Sequence, residues 1–370
     1  MYKYLITSLF LIVSLFAFTQ NGTVKGRVYN QKNNEPLEFA TVQIQGTVIG
    51  TTTDLNGNYE ISGPPGFVRL MVSYVGFETT LSAEVHIQGN QTAFIDLAVP
   101  ELATLIDEVV VRPTMNLKKI ESPVSYLTIG VREIEKAAGV NRDVSKAVQS
   151  LPGVGATDPN RNDLIVRGGG PSENVFYLDG IEIPIINHFA TQGSSGGVVG
   201  IINPDFVREV NFYTGAFPAN RPNSLSSVMD IRQKDGSQDR IHTQVGIGAS
   251  DAAFTMDGPI GDKSTFIVSA RQSYLQLLFK FIGLPFLPTY NDFQVKYKYQ
   301  INPKSELSII GLGAIDNMKL NTDLQEDGTE AQRYLLDYLP IYQQWIYTIG
   351  AVYKRFSTNY FDTWVLSRNM

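Results

Sequence analysis

The nine residues Phe293 to Ile301 alternate without a break. Phe293, Val295, Tyr297, Tyr299 and Ile301 fall on one side of an extended chain, and Gln294, Lys296, Lys298 and Gln300 on the other. Successive side chains of a strand point to opposite faces, so a period of two calls for a sheet with one apolar and one polar surface. A membrane-spanning barrel strand has this pattern, with lipid outside and water inside. A soluble two-layer sheet has it too, and the connections separate the two. Short links at Pro259 to Asp262, Asn302 to Ser305 and Ser357 to Asn359 alternate with long ones at about Leu275 to Thr289 and Met318 to Leu339. Outer-membrane barrels have short periplasmic turns and long external loops, so this rhythm favours the membrane reading and orients it. The apolar LQLLFKFIGLPFLP is read as part of a long loop, because Lys280, Pro285 and its length argue against a spanning helix of about 20 apolar residues.

The amino terminus carries Lys3 and then an apolar stretch from Leu5 to Phe18, interrupted only by Thr7 and Ser14. Ala17 opens a small-residue cleavage context near Thr19 or Gln20, so residues 1–20 read as an export signal. The chain of 370 residues has no cysteine, which excludes a lipid-attachment cysteine and a disulfide scaffold. A net charge of −6 with 30 scattered basic residues leaves no electrostatic footprint for nucleic acid. Eleven per cent aromatic residues, 32 glycines and a near-zero mean hydropathy fit a β-rich chain in which apolar and polar positions cancel in any average.

From Asn21 to Val99, short β-favouring runs (VKGRVY, ATVQIQ, VIGTTT, NYEIS, VRLMVSYVGF, SAEVHI, TAFIDL) alternate with turn residues, roughly the seven strands of an immunoglobulin-like sandwich. Val42 and Ile44 alternate with Gln43 and Gln45. Asp54 to Asn58, DLNGN, is a turn that tolerates positive φ; it lacks the further acidic ligands of a calcium loop. The string G-x-V with N-x-P-L-x-x-A-T-V, then GTTTD-x-NG-x-Y and SYVGFE, resembles the carboxypeptidase-regulatory-like domain that heads many outer-membrane receptors of Bacteroidetes type. That resemblance implies no peptidase activity. His86, His188 and His242 lack partners at metal-ligand spacing, no G-x-S-x-G is present, and Gly168 to Gly170 lacks the lysine and Ser/Thr of a phosphate loop. No catalytic constellation, metal site or cofactor is expected.

Between about Pro113 and Lys234 lies a glycine-punctuated module. A strand-like YLTIGV precedes a helical stretch around Asp143 to Gln149, closed by Leu151-Pro152-Gly153. LPGV at Leu151 to Val154, VRG at Val166 to Gly168, YLDGIEIP at Tyr177 to Pro184, and the REV strand leading to VMDIR together resemble the plug domain of TonB-dependent outer-membrane receptors. Directly before it stands DEVVV, Asp107, Glu108, Val109, Val110 and Val111, between Pro100 and Pro113. The run has extended preference and free backbone groups, which suits capture by a partner as an added strand; by itself it is also a fair last strand of a sandwich. The resemblance places it at the TonB-contacting box, where an energised inner-membrane protein would pair with it and pull the plug open. In the same resemblance Arg167 and Asp179 sit at plug strand ends and are expected to make buried ion pairs or hydrogen bonds. The loops Pro171-Ser172-Glu173 and Asn187-His188-Phe189 are the candidates for facing ligand. One departure stands out: where the SusC branch usually carries a lysine-aspartate-alanine stretch, Ala216 to Ser227 read AFPANRPNSLSS, which puts a polysaccharide role in doubt.

The expected organisation is a mainly β chain: signal peptide 1–20, Ig-like β-sandwich 21–99, linker with the TonB box 100–112, α+β plug 113–234, and the first strands of an incomplete transmembrane β-barrel, 235–370. Roughly seven strands are expected after Asp235, against about 22 in a barrel that holds a plug, so the sequence reads as cut short. The implied function is import through a plugged barrel in the outer membrane, with the N-terminal domain in the periplasm. The implied partners are a TonB-type energy-coupling protein and an unidentified ligand, with room for a surface lipoprotein. The alternative is a sensing or adhesion receptor that does not transport.

Overall fold

The computed structural model describes residues 21–89, 91–102, 126–136, 143–156, 161–191, 197, 199–248, 250–339, 341–357 and 360–370. No helix among them is long and apolar enough to cross a membrane. The chain forms two compact units, the first ending at Leu102.

The first unit is built from β1 (Gly22–Asn30), β2 (Thr41–Ile44), β3 (Gly50–Thr52), β4 (Asn58–Gly63), β5 (Gly66–Val68), β6 (Leu70–Ser73), β7 (Thr80–Leu81), β8 (Val85–Ile87), β9 (Thr92–Phe94) and β10 (Leu97–Val99). One sheet runs β10-β1-β4, with β9 parallel to β1; a second runs β3-β2-β6-β7; β5 and β8 make a small third. Val24, Val42, Ile61, Leu70, Val72 and Val99 join the two main sheets in one core. The alternation seen in the sequence is realised in β2, which buries Val42 and Ile44 and leaves Thr41 exposed. Ten strands form among the described residues where seven runs are read, because VRLMVSYVGF divides between β5 and β6, TAFIDL divides between β9 and β10, and Thr80–Leu81 adds β7. The Asp54 turn is held by its own carboxylate, whose Oδ1 accepts from the Asn56 and Asn58 amides at 2.9 and 2.7 Å. Gly57 is required there: its φ is +77°, and a Cβ would lie 2.5 Å from the Val28 carbonyl oxygen.

The second unit opens with β11 (Tyr126–Gly130), α1 (Val131–Lys136) and α2 (Val144–Gln149). It continues through β12 (Val154–Gly155), β13 (Ile165–Val166), β14 (Asn174–Leu178), β15 (Ile181–Ile183), β16 (Val207–Tyr213) and β17 (Ser227–Gln233). Helix α2 starts where the sequence places it, because Asp143 accepts from the Ser145 amide at 2.7 Å and so satisfies a donor that has no helical partner. The plug sheet runs β11-β16-β17-β14-β15, antiparallel except for the β14 and β17 pair.

Next come β18 (His242–Ile247), β19 (Asp251–Pro259), β20 (Ser264–Ser273), β21 (Phe286–Asn302), β22 (Ser305–Leu320), β23 (Tyr342–Phe356) and β24 (Phe361–Asn369). They form one antiparallel sheet in sequence order, open at β18 and β24. Its inner face closes the plug core: Ile310, Leu312, Ala314 and Val352 pack with Phe176, Ile183 and Met229 of the plug. Its outer face shows Phe293, Val295, Ile309, Ile349, Trp345 and Leu366, all more than a third exposed. The register aligns these residues in lateral rows, Tyr299 with Leu307, Tyr353 and Trp364 near the tight turns, and Ile315 with Trp345 toward the long connections. An apolar band bounded by aromatic residues is the outer surface of a membrane barrel wall.

The long connections carry α3 (Leu275–Phe281), α4 (Leu324–Asp327) and α5 (Glu330–Tyr338). Here the expected loop from Leu275 to Thr289 is corrected, since α3 fills its first half and β21 already begins at Phe286 with Pro288 inside it. Strand β20 pairs with β21 only as far as Gln272 opposite Asn291, so at Pro288 one side of β21 is open. A proline is tolerated at such an edge because no ladder bond is lost on the open side.

Candidate functional site

The charged residues of the second unit gather where the plug meets the inner face of the wall. After β15 the chain pairs back on itself, with the His188 amide donating to the Val199 carbonyl and the Ile201 amide to the Ile186 carbonyl, both at 2.8 Å. This lays Asn187, His188 and Phe189 flat against β21 and β22. His188 is fully buried. Its Nδ1 lies 2.6 Å from Asp316 Oδ1 of β22, and its Nε2 lies 3.0 Å from Asp292 Oδ2 of β21. The Tyr290 ring stacks on it at 4.2 Å between centroids.

Each carboxylate has further donors. Asp292 accepts from Arg271 Nε at 2.7 Å, and Arg271 Nη2 also donates to the Gly200 carbonyl. Asp316 Oδ2 accepts from the Phe189 amide and from Gln344 Nε2, both at 2.7 Å. Burial by itself would lower the His188 pKa, but the hydrogen bonds and charges of Asp292 and Asp316 outweigh it and raise the pKa above the ordinary imidazole value. On the plug side, Asn187 Oδ1 accepts from Ser145 Oγ at 2.9 Å and Asn162 Nδ2 at 3.1 Å, and Asp143 Oδ2 accepts from the Gly200 amide at 2.7 Å.

A second cluster lies toward the tight-turn end. Lys296 Nζ of β21 bridges Asp179 Oδ2 at 3.0 Å and Asp235 Oδ1 at 2.8 Å, and Lys298 reaches the other Asp235 oxygen at 2.7 Å. Burial opposes ionisation of Asp235, yet Lys296 and Lys298 hold its carboxyl well below the usual carboxylate range. Asp179 sits in a left-handed turn, φ +50°, and accepts from the Gln233 amide at 2.9 Å.

The residues singled out in the sequence therefore part company. Asp107 to Val111 lie outside the described residues. Asp179 pairs with Lys296 at 3.0 Å. Arg167 is not buried: its side chain is exposed, because the residue occupies a left-handed turn with φ +51° that turns it away from the sheet. Pro171, Ser172 and Glu173 form a 3₁₀ turn with Ser172 exposed, and the Glu173 carbonyl accepts from the Ser226 amide at 3.1 Å. Asn187, His188 and Phe189 are not on an open loop but buried at 0, 0 and 6 % exposure, because Asn187 bonds Ser145 and Asn162 of the plug while the two aspartates hold His188 and Phe189 against the wall. Sequence reasoning missed Asp292, Asp316, Arg271 and Asp235. The first could have been found by carrying the polar phase of Gln294, Lys296 and Lys298 one step back.

Two family models match the chain. The CarboxypepD_reg-like domain matches residues 24–111 and the TonB-dependent Receptor Plug Domain residues 118–225. TonB-dependent receptor SusC of Bacteroides thetaiotaomicron is 27 % identical over 278 residues, 70 % of this chain and 26 % of that protein. TonB-dependent receptor P39 of Formosa agariphila is 24 % identical over 303 residues, 72 % of this chain and 28 % of that protein. Among solved structures, the ferric enterobactin receptor of Pseudomonas aeruginosa aligns at TM-score 0.49 with 15 % identity, covering 66 % of this chain and 40 % of that one. The chain carries a CarboxypepD_reg-like domain followed by a TonB-dependent receptor plug domain, and its homologues include TonB-dependent receptors of Bacteroidetes. It spans 26 % and 28 % of the length of the two Bacteroidetes relatives.

Proposed function

We propose that the chain belongs to an outer-membrane receptor that imports a ligand past a movable plug, driven by a TonB-type partner that captures Asp107 to Val111 as an added strand. The observation that carries this reading is the two-faced wall. Outward residues such as Val295 and Ile349 are exposed and apolar, while Lys296 and Asp316 on the same sheet turn inward and bond the plug. Such a wall belongs in lipid, with the CarboxypepD_reg-like domain on the periplasmic side. Beside the apolar packing of Ile310, Leu312, Ala314 and Val352 on the plug, the two are joined by polar contacts that can be exchanged for water, as a part that must move requires. No residue is assigned a catalytic role. Of the proposed ligand-facing loops, Pro171 to Glu173 is available in this state, whereas Asn187 to Phe189 would meet a ligand only after the plug has shifted. A surface lipoprotein remains a proposed further partner, and SusC similarity bears on substrate only at this level.

Because these 370 residues have no cysteine, Val110→Cys, with any cysteine elsewhere in the receptor replaced by serine, supplies a unique thiol for cross-linking in living cells. The reading expects cross-links to an inner-membrane-anchored energy-coupling protein, identified by mass spectrometry. Cross-links confined to other partners, with none to such a protein, would instead support a receptor that senses or adheres without transport.

A further inference from the structure

Taking the chain as part of a plugged receptor, we propose that His188 is a proton-dependent clamp that fastens the plug to two strands of the wall and lets go when its imidazolium loses a proton. The geometry makes the proton count unambiguous. Both ring nitrogens face carboxylate oxygens, Nδ1 at 2.6 Å from Asp316 and Nε2 at 3.0 Å from Asp292. An ionised carboxylate only accepts hydrogen bonds, and a neutral imidazole has a single N–H to give. With both aspartates ionised, the ring satisfies both only when both nitrogens are protonated. Removal of one proton leaves a lone pair against a buried carboxylate, and the contact becomes repulsive.

Each aspartate accepts from further donors besides the ring. Arg271 of β20 donates to Asp292, and Gln344 of β23 and the Phe189 amide donate to Asp316. Tyr290 of β21 stacks on the ring and gives its hydroxyl proton to Asp251 of β19 at 2.7 Å, so neither competes for the imidazole nitrogens. From the plug, Asp143 at the start of α2 accepts from Asn162 Nδ2 at 2.9 Å, and Asn162 donates in turn to Asn187 Oδ1 at 3.1 Å, which joins the carboxylate to the loop through amides. Since the folded imidazole is shifted upward, the clamp is complete below the ordinary value of 6.5 and is lost as pH rises through the raised value.

The test uses the receptor that bears this chain, with any cysteine outside these 370 residues replaced by serine and single cysteines placed within them, purified and reconstituted in lipid. Val199→Cys reports on the clamped loop, whose backbone it pairs with, and Ser172→Cys is the exposed control. The maleimide labelling rate at 199, divided by that at 172, removes the thiol's own pH dependence. As pH climbs from about 6 through the raised value of His188, the ratio should rise roughly tenfold, since the charged fraction falls about tenfold per pH unit once that value is passed. Adding His188→Asn should make the ratio high at every pH. Adding Asp316→Asn, whose amide can meet a neutral ring as donor or acceptor, should keep the ratio low while flattening the rise. An unchanged pH profile in both double variants would overturn the clamp. No ligand, energy-coupling partner or uptake enters this measurement, so its failure is separate from failure of the import reading.

Discussion

Lys296 Nζ lies 3.0 Å from Asp179 Oδ2, joining the middle of a wall strand to a turn of the plug. Asp235, where the plug hands over to the wall, closes the same cation from the other side at 2.8 Å. Removing the cation leaves two largely buried carboxylates facing each other. Lys296→Met should therefore loosen the plug by about 3 to 5 kcal/mol, the usual result of deleting one member of a buried ion cluster. Thermal unfolding of the purified receptor checks this, with Lys296→Arg as the charge-preserving control expected to lose much less.

The two faces of β21 make a sharper contrast. Arginine at Val295 stands on the outer face at a cost of about 2 to 4 kcal/mol near the bilayer midplane, whereas arginine at neighbouring Lys296 stays inside. The yield of heat-modifiable, membrane-inserted receptor should fall for Val295→Arg alone. Equal yields for both would mean the facing is wrong.

Asp235 provides a pH signature. Its carboxyl is held well below its reference of 3.8, so the stability it contributes is present above that reference and disappears as pH falls through the depressed value. Asp235→Asn should lower the melting temperature at neutral pH, and the gap from the parent should close in strong acid. A gap that does not change with pH would separate Asp235 from the lysine cluster.

Asp143 caps α2 with one oxygen and holds the Gly200 amide and Asn162 with the other. Asp143→Ala removes an N-cap worth about 1 kcal/mol and strands further donors at about 1 to 3 kcal/mol. A loss of about 2 to 4 kcal/mol in plug stability is expected, with looser packing of the Asn187 loop visible as faster amide exchange at Gly200.

What the sequence revealed here, and what it hid, follows from the range of the interactions. Strand β21 was legible because Phe293 to Ile301 alternate over nine adjacent residues, and α2 because Asp143 and Leu151-Pro152-Gly153 mark its ends locally. The start of β21 at Phe286 was hidden, since whether a strand can carry Pro288 depends on where the neighbouring strand stops, and β20 pairs only as far as Gln272 opposite Asn291. His188 looked like a lone histidine on a polar loop. Its two partners lie 104 and 128 residues further along, and only the packing of plug on wall brings them together. Arg167 and Asp179 are alike in sequence, each at the end of an apolar run, yet the fold aims one at Lys296 and the other at solvent.

The import reading is tested most directly at Val110. In a medium where deletion of the receptor slows growth, Val110→Pro removes a backbone donor needed for strand addition and leaves folding intact. The variant should reach the outer membrane at the parental level and grow as slowly as the deletion. Growth at the parental rate would contradict energy-coupled import through Asp107 to Val111.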